Sequence, residues 1–415
     1  MPVRYRVVGM CFLAVFVCYL DRVNMSVAAV AMKEEFGWSE TTKGLVMSSF
    51  FLGYLLLMVA SGWMSNRLGG KRVLGFAVVW WSVFTLLTPP AAATSLTLLL
   101  VARFTLGLGE AATFPASYTL YRNWVPAAER SRAVTLLASA IPLGTLCALG
   151  LTGWVVTRFG WPMAFYSFGL LGFVWAFFWY RLVYDTPAQH PRMSADEQAL
   201  LTPVAAAASP APQIPWGRFA RTPAVLALVF NHFASNWAFY MLLSWLPSYF
   251  RDVQHLSVQN AGFYSAAPWL TMFVMANVAG TIADRLIRSG HSITFVRKLM
   301  QVGGLLVSAG FLLAARGITD PVTAVWLMCG ALGTMAFTWA GYSPNHLDIA
   351  PRYADVLMGI TNTFGTLPGV VGVAVTGWLI DITGTYDAAF VLAAAMNVAG
   401  ALVWIVWAKG ERVID

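Results

Sequence analysis

Apolar segments of about 20 residues recur along the whole chain, and this pattern permits few folds. We count twelve of them, at 8–30, 43–65, 73–94, 96–120, 133–157, 162–184, 223–249, 259–283, 296–315, 321–345, 355–380 and 388–408. Each is long enough to cross a bilayer core of about 30 Å as an α-helix, which pairs its own backbone groups. The sequence therefore predicts an all-α membrane protein with no room for a soluble catalytic domain.

The charge pattern predicts how the segments cross the membrane. The chain carries 26 Lys and Arg against 18 Asp and Glu, a formal net charge of +8. With the N terminus inside, most of the positive residues fall in the inner loops and ends, so the positive-inside rule predicts that both termini are cytoplasmic. Because the positive residues follow the loops and do not form one basic patch, we expect no binding of nucleic acid.

The chain divides into two similar halves. A polar connection rich in Pro and Ala predicts a cytoplasmic linker at 185–221, between six-helix bundles at 1–184 and 222–415. A Gly-x-x-x-(Asp/Asn)-Arg motif follows the second span of each half, which indicates a parallel repeat. The repeated residues are Gly62, Asn66 and Arg67 in the first half and Gly280, Asp284 and Arg285 in the second.

Four charged residues lie well inside the first and fourth predicted spans, namely Asp21, Arg22, Arg103 and Glu110. Charge at membrane depth is costly, so such residues indicate a path for a solute or a proton. At 1.5 Å per residue, Asp21 and Arg103 lie at one depth, which predicts an Asp21–Arg103 pair. Glu110 lies deeper, near the midplane, and is the predicted proton carrier. We therefore assign proton coupling to Asp21, Arg103 and Glu110.

Each of these roles has a structural alternative. Arg103 could only neutralise Asp21 to hold two helices together, and Glu110 could be permanently protonated or bonded to backbone. Arg22 is the predicted residue for an anionic solute, because a guanidinium can hold a carboxylate through two parallel hydrogen bonds. Asn236, in the middle of its span, could bind hydroxyl groups of that solute.

Longer motifs in the chain match a known family. They are Tyr19–Asn24, Arg103–Glu110 with Phe114-Pro115-Ala116, Trp245-Leu246-Pro247, and Asn345–Tyr353. With these motifs the chain resembles the major facilitator superfamily. More narrowly, it resembles the anion:cation symporters, which include sialin, the vesicular glutamate transporters and bacterial sugar-acid carriers. The resemblance implies the major facilitator fold, with twelve transmembrane helices in two pseudo-symmetric six-helix bundles.

The resemblance also implies roles for individual residues. Residues at the Tyr19, Arg22, Tyr54 and Asn362 positions line the solute cavity of the sugar-acid carriers. The loop motif implies four gating residues, Asn66, Arg67, Asp284 and Arg285. Asn66 stands where the superfamily has an aspartate, so we expect the outward-facing state to be less favoured here.

Together these observations predict a proton-coupled symporter that imports a small organic anion, such as a sugar acid or another carboxylate, by alternating access. The alternative is efflux of a drug or metabolite by proton antiport, which shares the fold. An enzyme is not expected, because the sequence has no metal-ligand cluster, nucleophile motif or phosphate-binding loop. Beyond the coupling proton we expect no cofactor. The expected partners are the organic anion and the lipid bilayer, and the expected functional form is a monomer.

Two further predictions concern the cysteines and the cellular location. Cys11, Cys18, Cys147 and Cys329 all fall inside predicted spans, which favours packing residues over disulfides or metal ligands. The first span is predicted to be an uncleaved helix. The outer loop Lys33–Thr42 is short where the vesicular relatives have a long glycosylated loop, so we predict a bacterial inner membrane.

Overall fold

The computed structural model describes residues 2–191, 193–194, 197–198, 200–201 and 215–414. Helices occupy most of this part of the chain, with short 3-10 turns at Pro187–Gln189 and Pro351–Tyr353. The α-helices are α1 (Val3–Phe36), α2 (Glu40–Leu68), α3 (Gly70–Thr94), α4 (Leu96–Glu110), α5 (Thr113–Trp124), α6 (Ala127–Phe159), α7 (Trp161–Leu182), α8 (Trp216–Arg221), α9 (Pro223–Asp252), α10 (Val258–Arg288), α11 (Ile293–Ala314), α12 (Pro321–Met335), α13 (Thr338–Ile349), α14 (Ala354–Thr383) and α15 (Asp387–Trp407).

Within the described residues, 12 helical spans are long and apolar enough to cross a membrane. The prediction of an all-α membrane protein with twelve transmembrane helices is confirmed. Two of the spans, Leu96–Trp124 and Pro321–Ile349, each consist of two consecutive helices.

The two interrupted spans break at corresponding places in the two halves of the chain. The first is interrupted by a turn at Ala111–Ala112, and the second by a turn at 336–337. A threonine follows each turn, and its hydroxyl donates to the carbonyl three residues earlier, Thr113 to Glu110 and Thr338 to Met335, both at 2.7 Å. Discontinuous helices in corresponding positions are typical of transporters built from repeats. The first break puts Glu110 at the last residue of α4.

The chain forms two compact units. Unit 1 contains Met1–Met25 and Ser49–Pro212, and unit 2 contains Ser26–Ser48 and Gln213–Asp415. The difference from the predicted bundles 1–184 and 222–415 is the segment Ser26–Ser48, which covers the end of α1 and the start of α2. Part of the predicted linker 185–221 lies outside the described residues.

In unit 1, two glycines let α2 and α4 cross in close contact. A Cβ on Gly53 would lie 1.9 Å from the Phe104 carbonyl oxygen, and a Cβ on Gly107 would lie 2.1 Å from the Phe50 carbonyl oxygen. Small residues at helix crossings in membranes bring backbones together in this way. The crossing fixes Phe50 and the residues near it on α2 against the charged face of α4.

In unit 2, polar side chains hold the segment Ser26–Ser48. The Asp381 carboxylate accepts hydrogen bonds from the amides of Glu40 at 2.9 Å and Thr41 at 2.7 Å, and so caps the start of α2. Lys43 is fully buried, with its ammonium 2.6 Å from Glu40 Oε2 and 3.0 Å from Ser248 Oγ. These contacts join the start of α2 to α9 and α14.

In unit 1, two carboxylates secure the start of α1. Glu197 accepts from the amides of Val3 and Arg4, both at 3.0 Å, and Glu129 accepts from the Arg4 guanidinium at 3.0 and 3.1 Å. The Arg4 hydrogen bonds lower the pKa of Glu129. Burial raises the pKa of Glu197, but the hydrogen bonds from Arg4 and Val3 outweigh burial and lower the pKa overall.

Candidate functional site

A buried ion pair in unit 1 joins α1 to the end of α4. Arg22 Nη2 lies 3.0 Å from Glu110 Oε2, and Arg22 Nε donates to the same oxygen at 3.1 Å. The two side chains are 3% and 0% exposed, so this charge pair is shielded from solvent. Both residues lie in predicted membrane spans, but the predicted partner of Arg22 is the anionic solute. In this structure Glu110 engages Arg22, so an anion must compete with Glu110 for the arginine.

Aromatic rings surround the Arg22 guanidinium. Its central carbon lies 4.6 Å from the Tyr19 ring centroid, 4.8 Å from that of Tyr54 and 5.0 Å from that of Phe50. Arg22 Nη1 also donates to the Tyr19 hydroxyl at 3.3 Å. Tyr19 and Tyr54 were predicted site residues, and the structure brings both to Arg22. Phe50 was missed, although it lies one turn before Tyr54 on α2 and therefore on the same face.

The predicted Asp21–Arg103 ion pair is wrong. Asp21 is fully buried, and within the described residues neither of its carboxylate oxygens accepts a hydrogen bond from Arg103. Arg103 is 1% exposed, and its Nε and Nη1 have no hydrogen-bond partner among the described residues. Asp21 stays within electrostatic reach of Arg103 and Glu110 but forms no ion pair with Arg103 in the described part of the chain. Depth counting gives the height of a residue along a helix and not its direction, and neighbouring residues point about 100° apart.

A thiol completes the surroundings of Glu110. Cys18 Sγ donates to Glu110 Oε2 at 3.1 Å, whereas Glu110 Oε1 is buried and has no hydrogen-bond partner in the described part of the chain. The sequence predicts only a packing role for Cys18. Its spacing gives the missing signal, because Cys18 precedes Arg22 by four residues and shares its helix face.

The predicted solute-binding residues of unit 2 lie on α9 and α14. The Asn236 amide donates to the Gly365 carbonyl at 2.7 Å, and Gly365 lies about one turn after Asn362 on α14. Asn236 and Asn362 are both half-buried, so each is partly open to a solute. Deeper in the unit, Gln301 donates to Asn231 at 3.0 Å and to Ser235 at 3.1 Å, a polar network that sequence analysis did not predict.

The predicted gating residues lie at exposed ends of helices. Asn66, Arg67, Asp284 and Arg285 are all exposed, and the Arg67 guanidinium lies 5.0 Å from the Trp63 ring centroid. Their gating role stays a prediction.

Two other aspartates make the strong contacts near these loops. Asp185 Oδ1 accepts from the Lys71 amide at 2.7 Å, next to Gly69 at φ +91°. In unit 2, Asp348 accepts from Arg297 Nε at 2.7 Å. The sequence predicts no contact for either aspartate, because their partners lie on distant segments.

The fold and the site together define a class of protein. Secondary transporters share three features with this chain: twelve spans, interrupted helices in corresponding positions, and a buried arginine–glutamate pair at one interruption. Within the described residues, no group of three or more His, Cys, Asp or Glu could hold a metal ion.

Comparison with known families identifies the class more closely. The sequence model of the Major Facilitator Superfamily matches residues 11–373, so the chain belongs to this superfamily. The protein is a transporter and not an enzyme.

Named relatives match nearly the whole chain. A sodium-dependent phosphate transport protein 1, chloroplastic, from Arabidopsis thaliana is 42% identical over 100% of this chain and 81% of its own length. The chloroplastic ascorbate transporter of the same plant is 42% identical over 100% of this chain and 76% of its own length. Human sialin is 34% identical over 98% of this chain and 90% of its own length. The predicted resemblance to the anion:cation symporter group is confirmed.

Solved structures agree on the fold. A bacterial homolog of the human lysosomal transporter Spinster covers 98% of this chain and 97% of its own, with a TM-score of 0.79 and 17% identity. The match to a D-xylose-proton symporter covers 98% of this chain and 99% of the symporter chain, with a TM-score of 0.77 and 16% identity. The predicted major facilitator fold is therefore confirmed.

The predicted location in a bacterial inner membrane is wrong. Relatives that match the whole chain at 42% identity are chloroplastic proteins of a plant. The prediction depended on the short loop Lys33–Thr42, and a short loop limits the size of an external domain without indicating which membrane holds the chain. The finding that stands is a multi-pass membrane protein.

Proposed function

We propose that the protein is a proton-coupled symporter for a small organic anion that carries a carboxylate or a similarly acidic group. The observation that carries the proposal is the buried Arg22–Glu110 pair, with its 3.0 Å contact at the break of an interrupted helix. The names of two relatives, an ascorbate transporter and sialin, support an organic anion as the solute.

Coupling follows from competition for one guanidinium. While Glu110 is ionised, its Oε2 accepts two hydrogen bonds from Arg22, so the arginine is not available to a second carboxylate. A proton on Glu110 removes the charge that holds Arg22, and the guanidinium can then bind the carboxylate of the solute through two parallel bonds. Binding of the proton therefore favours binding of the anion, and binding of the anion favours binding of the proton. Release of the anion returns Arg22 to Glu110 and expels the proton.

The other predicted residues support this exchange. Tyr19, Phe50 and Tyr54 surround the guanidinium and keep Arg22 in place when it changes partner, because a cation is attracted to the faces of aromatic rings. Asp21 and Arg103 set the electrostatic field in which the exchange occurs, since both are buried within electrostatic reach of Glu110.

In unit 2, we assign hydroxyl groups of the solute to the half-buried amides of Asn236 and Asn362. This assignment follows from the polar, uncharged chemistry of the two side chains, which suits a hydroxylated anion. An amide supplies both donors and acceptors for such groups.

Transport by purified protein in liposomes tests the proposal. We expect an inward proton gradient to drive accumulation of ascorbate or of a sugar acid, and Arg22→Ala to abolish both accumulation and counterflow. Arg158→Ala is the matched control, because Arg158 is an exposed arginine at the end of α6. Accumulation that persists in Arg22→Ala contradicts the proposal.

A second candidate is sodium-coupled transport of inorganic phosphate. The name of the 42% identical phosphate transport protein favours it, and phosphate also suits a guanidinium. Uptake of phosphate that depends on a sodium gradient, with no proton-driven uptake of carboxylates, would select this candidate. Solute loss driven by an inward proton gradient would instead select the efflux alternative.

A further inference from the structure

One buried residue with no assigned role touches both members of the ion pair. Cys18 is fully buried, and its Sγ lies 3.1 Å from Glu110 Oε2 and 3.7 Å from Arg22 Nη2. The Thr113 hydroxyl lies 3.9 Å from the same sulfur and donates to the Glu110 carbonyl at 2.7 Å. The thiol therefore lies against the carboxylate, the arginine and the helix break together.

We propose that Cys18 is a positioning residue for proton coupling. Its thiol holds the Glu110 carboxyl group in place while Arg22 moves between Glu110 and the transported anion. This inference rests on the proposed function, because it assigns Glu110 to the proton and Arg22 to the anion.

The distribution of donors on the carboxyl group supports this role. Arg22 and Cys18 both donate to Oε2, whereas Oε1 has no hydrogen-bond partner among the residues that the structure describes. When the anion takes Arg22, the thiol is the donor that stays on Oε2. A carboxyl group held in this way does not follow the arginine, so the next proton reaches it in the same position.

The chemistry of sulfur also suits the position. A thiol is a weak donor, so Cys18 can orient Oε2 without displacing the stronger guanidinium bonds. Because Cys18 and Arg22 are four residues apart on α1, both approach Glu110 from one helix face, and the thiol needs no separate support.

Three substitutions test the proposal in liposomes. Cys18→Ala removes the donor, and we expect proton-driven uptake to fall about 3- to 10-fold while counterflow stays near wild type, as for loss of one modest hydrogen bond. Cys18→Ser restores a donor and should recover uptake to within about twofold of wild type. Cys11→Ala is the matched control, because Cys11 is equally buried two turns earlier on the same helix, and it should leave uptake unchanged.

An infrared measurement gives a readout that packing does not affect. The S–H stretching band lies where proteins have few other bands, and hydrogen bonding lowers its frequency. With Cys11, Cys147 and Cys329 replaced by alanine, the remaining Cys18 band should move to higher frequency in Glu110→Gln, whose side chain is a weaker acceptor than a carboxylate. A band that does not move overturns the inference, as does a Cys18→Ala variant that matches wild type or is not rescued by serine.

The two proposals can fail separately. If Glu110→Gln still accumulates solute, the proposed coupling fails, whatever the infrared band does. If Glu110→Gln stops accumulation but Cys18→Ala does not change it, the coupling stands and the role of Cys18 is refuted.

Discussion

The Glu110→Gln variant examines the central contact most directly. Glutamine has nearly the shape of a protonated glutamate, so the substitution fixes the site in the state that releases Arg22. Wild type has two Arg22 hydrogen bonds to Glu110 Oε2, at 3.0 and 3.1 Å, and the variant replaces a charged acceptor with a neutral one. We expect binding and counterflow to persist and gradient-driven accumulation to stop.

The expected magnitude follows from burial. Removal of one partner from a buried ion pair typically costs about 3–5 kcal/mol, because the other charge is left without compensation. Arg22 is 3% exposed in its side chain, so the variant without anion should lose stability within that range. A bound carboxylate restores the missing charge. If anion binding recovers only about 1.4 kcal/mol of this lost stability, the affinity of the Glu110→Gln variant for the anion is about tenfold higher than that of wild type.

Thermal unfolding in detergent, with and without anion, measures the stability changes, and liposome assays separate counterflow from accumulation. The pattern expected for Glu110→Gln is a lower Tm without anion, a larger anion-induced rise in Tm than in wild type, and no accumulation against a gradient. An unchanged Tm without anion would mean that Glu110 does not compensate the buried charge of Arg22. Intact accumulation would remove Glu110 from the coupling mechanism.

The remaining predictions concern parts of the fold away from this pair. Lys43→Met removes a fully buried ammonium and should lower the free energy of unfolding by about 3 kcal/mol. The control Lys33→Met removes a half-exposed ammonium and should lower it by less than about 1 kcal/mol. Chemical unfolding in detergent measures both changes. Gly107→Val forces α2 and α4 apart and should cost about 3 kcal/mol and abolish anion binding in a thermal-shift assay. Gly9→Val should retain binding, because an added Cβ at Gly9 would meet no described atom within 4 Å. Because the folded-state pKa of Glu197 is lowered, its stabilisation is complete above the unfolded pKa of about 4.3 and is lost as pH falls through the folded value. Glu197→Gln should therefore lower the Tm at neutral pH and reduce the further loss on acidification, and equal acid sensitivity in both proteins would contradict this.

Much of the architecture follows from the sequence alone. Twelve apolar segments define twelve spans, because lipid cannot satisfy exposed backbone groups and each span must therefore be helical. The repeated loop motif and the residues around Arg22 and Glu110 identify the superfamily and the membrane depth of the site. These features are local, since each depends on composition or spacing within one segment.

The partners of the buried charges depended on tertiary structure. Spacing put Asp21 and Arg103 level, yet among the described residues Arg22 forms the ion pair with Glu110, and Asp21 forms none with Arg103. Helix rotation and the close crossing at Gly53 and Gly107 select between such pairings, and neither can be obtained from one segment alone. A residue number gives height along a helix, whereas the direction of a side chain is fixed only when neighbouring helices pack against it.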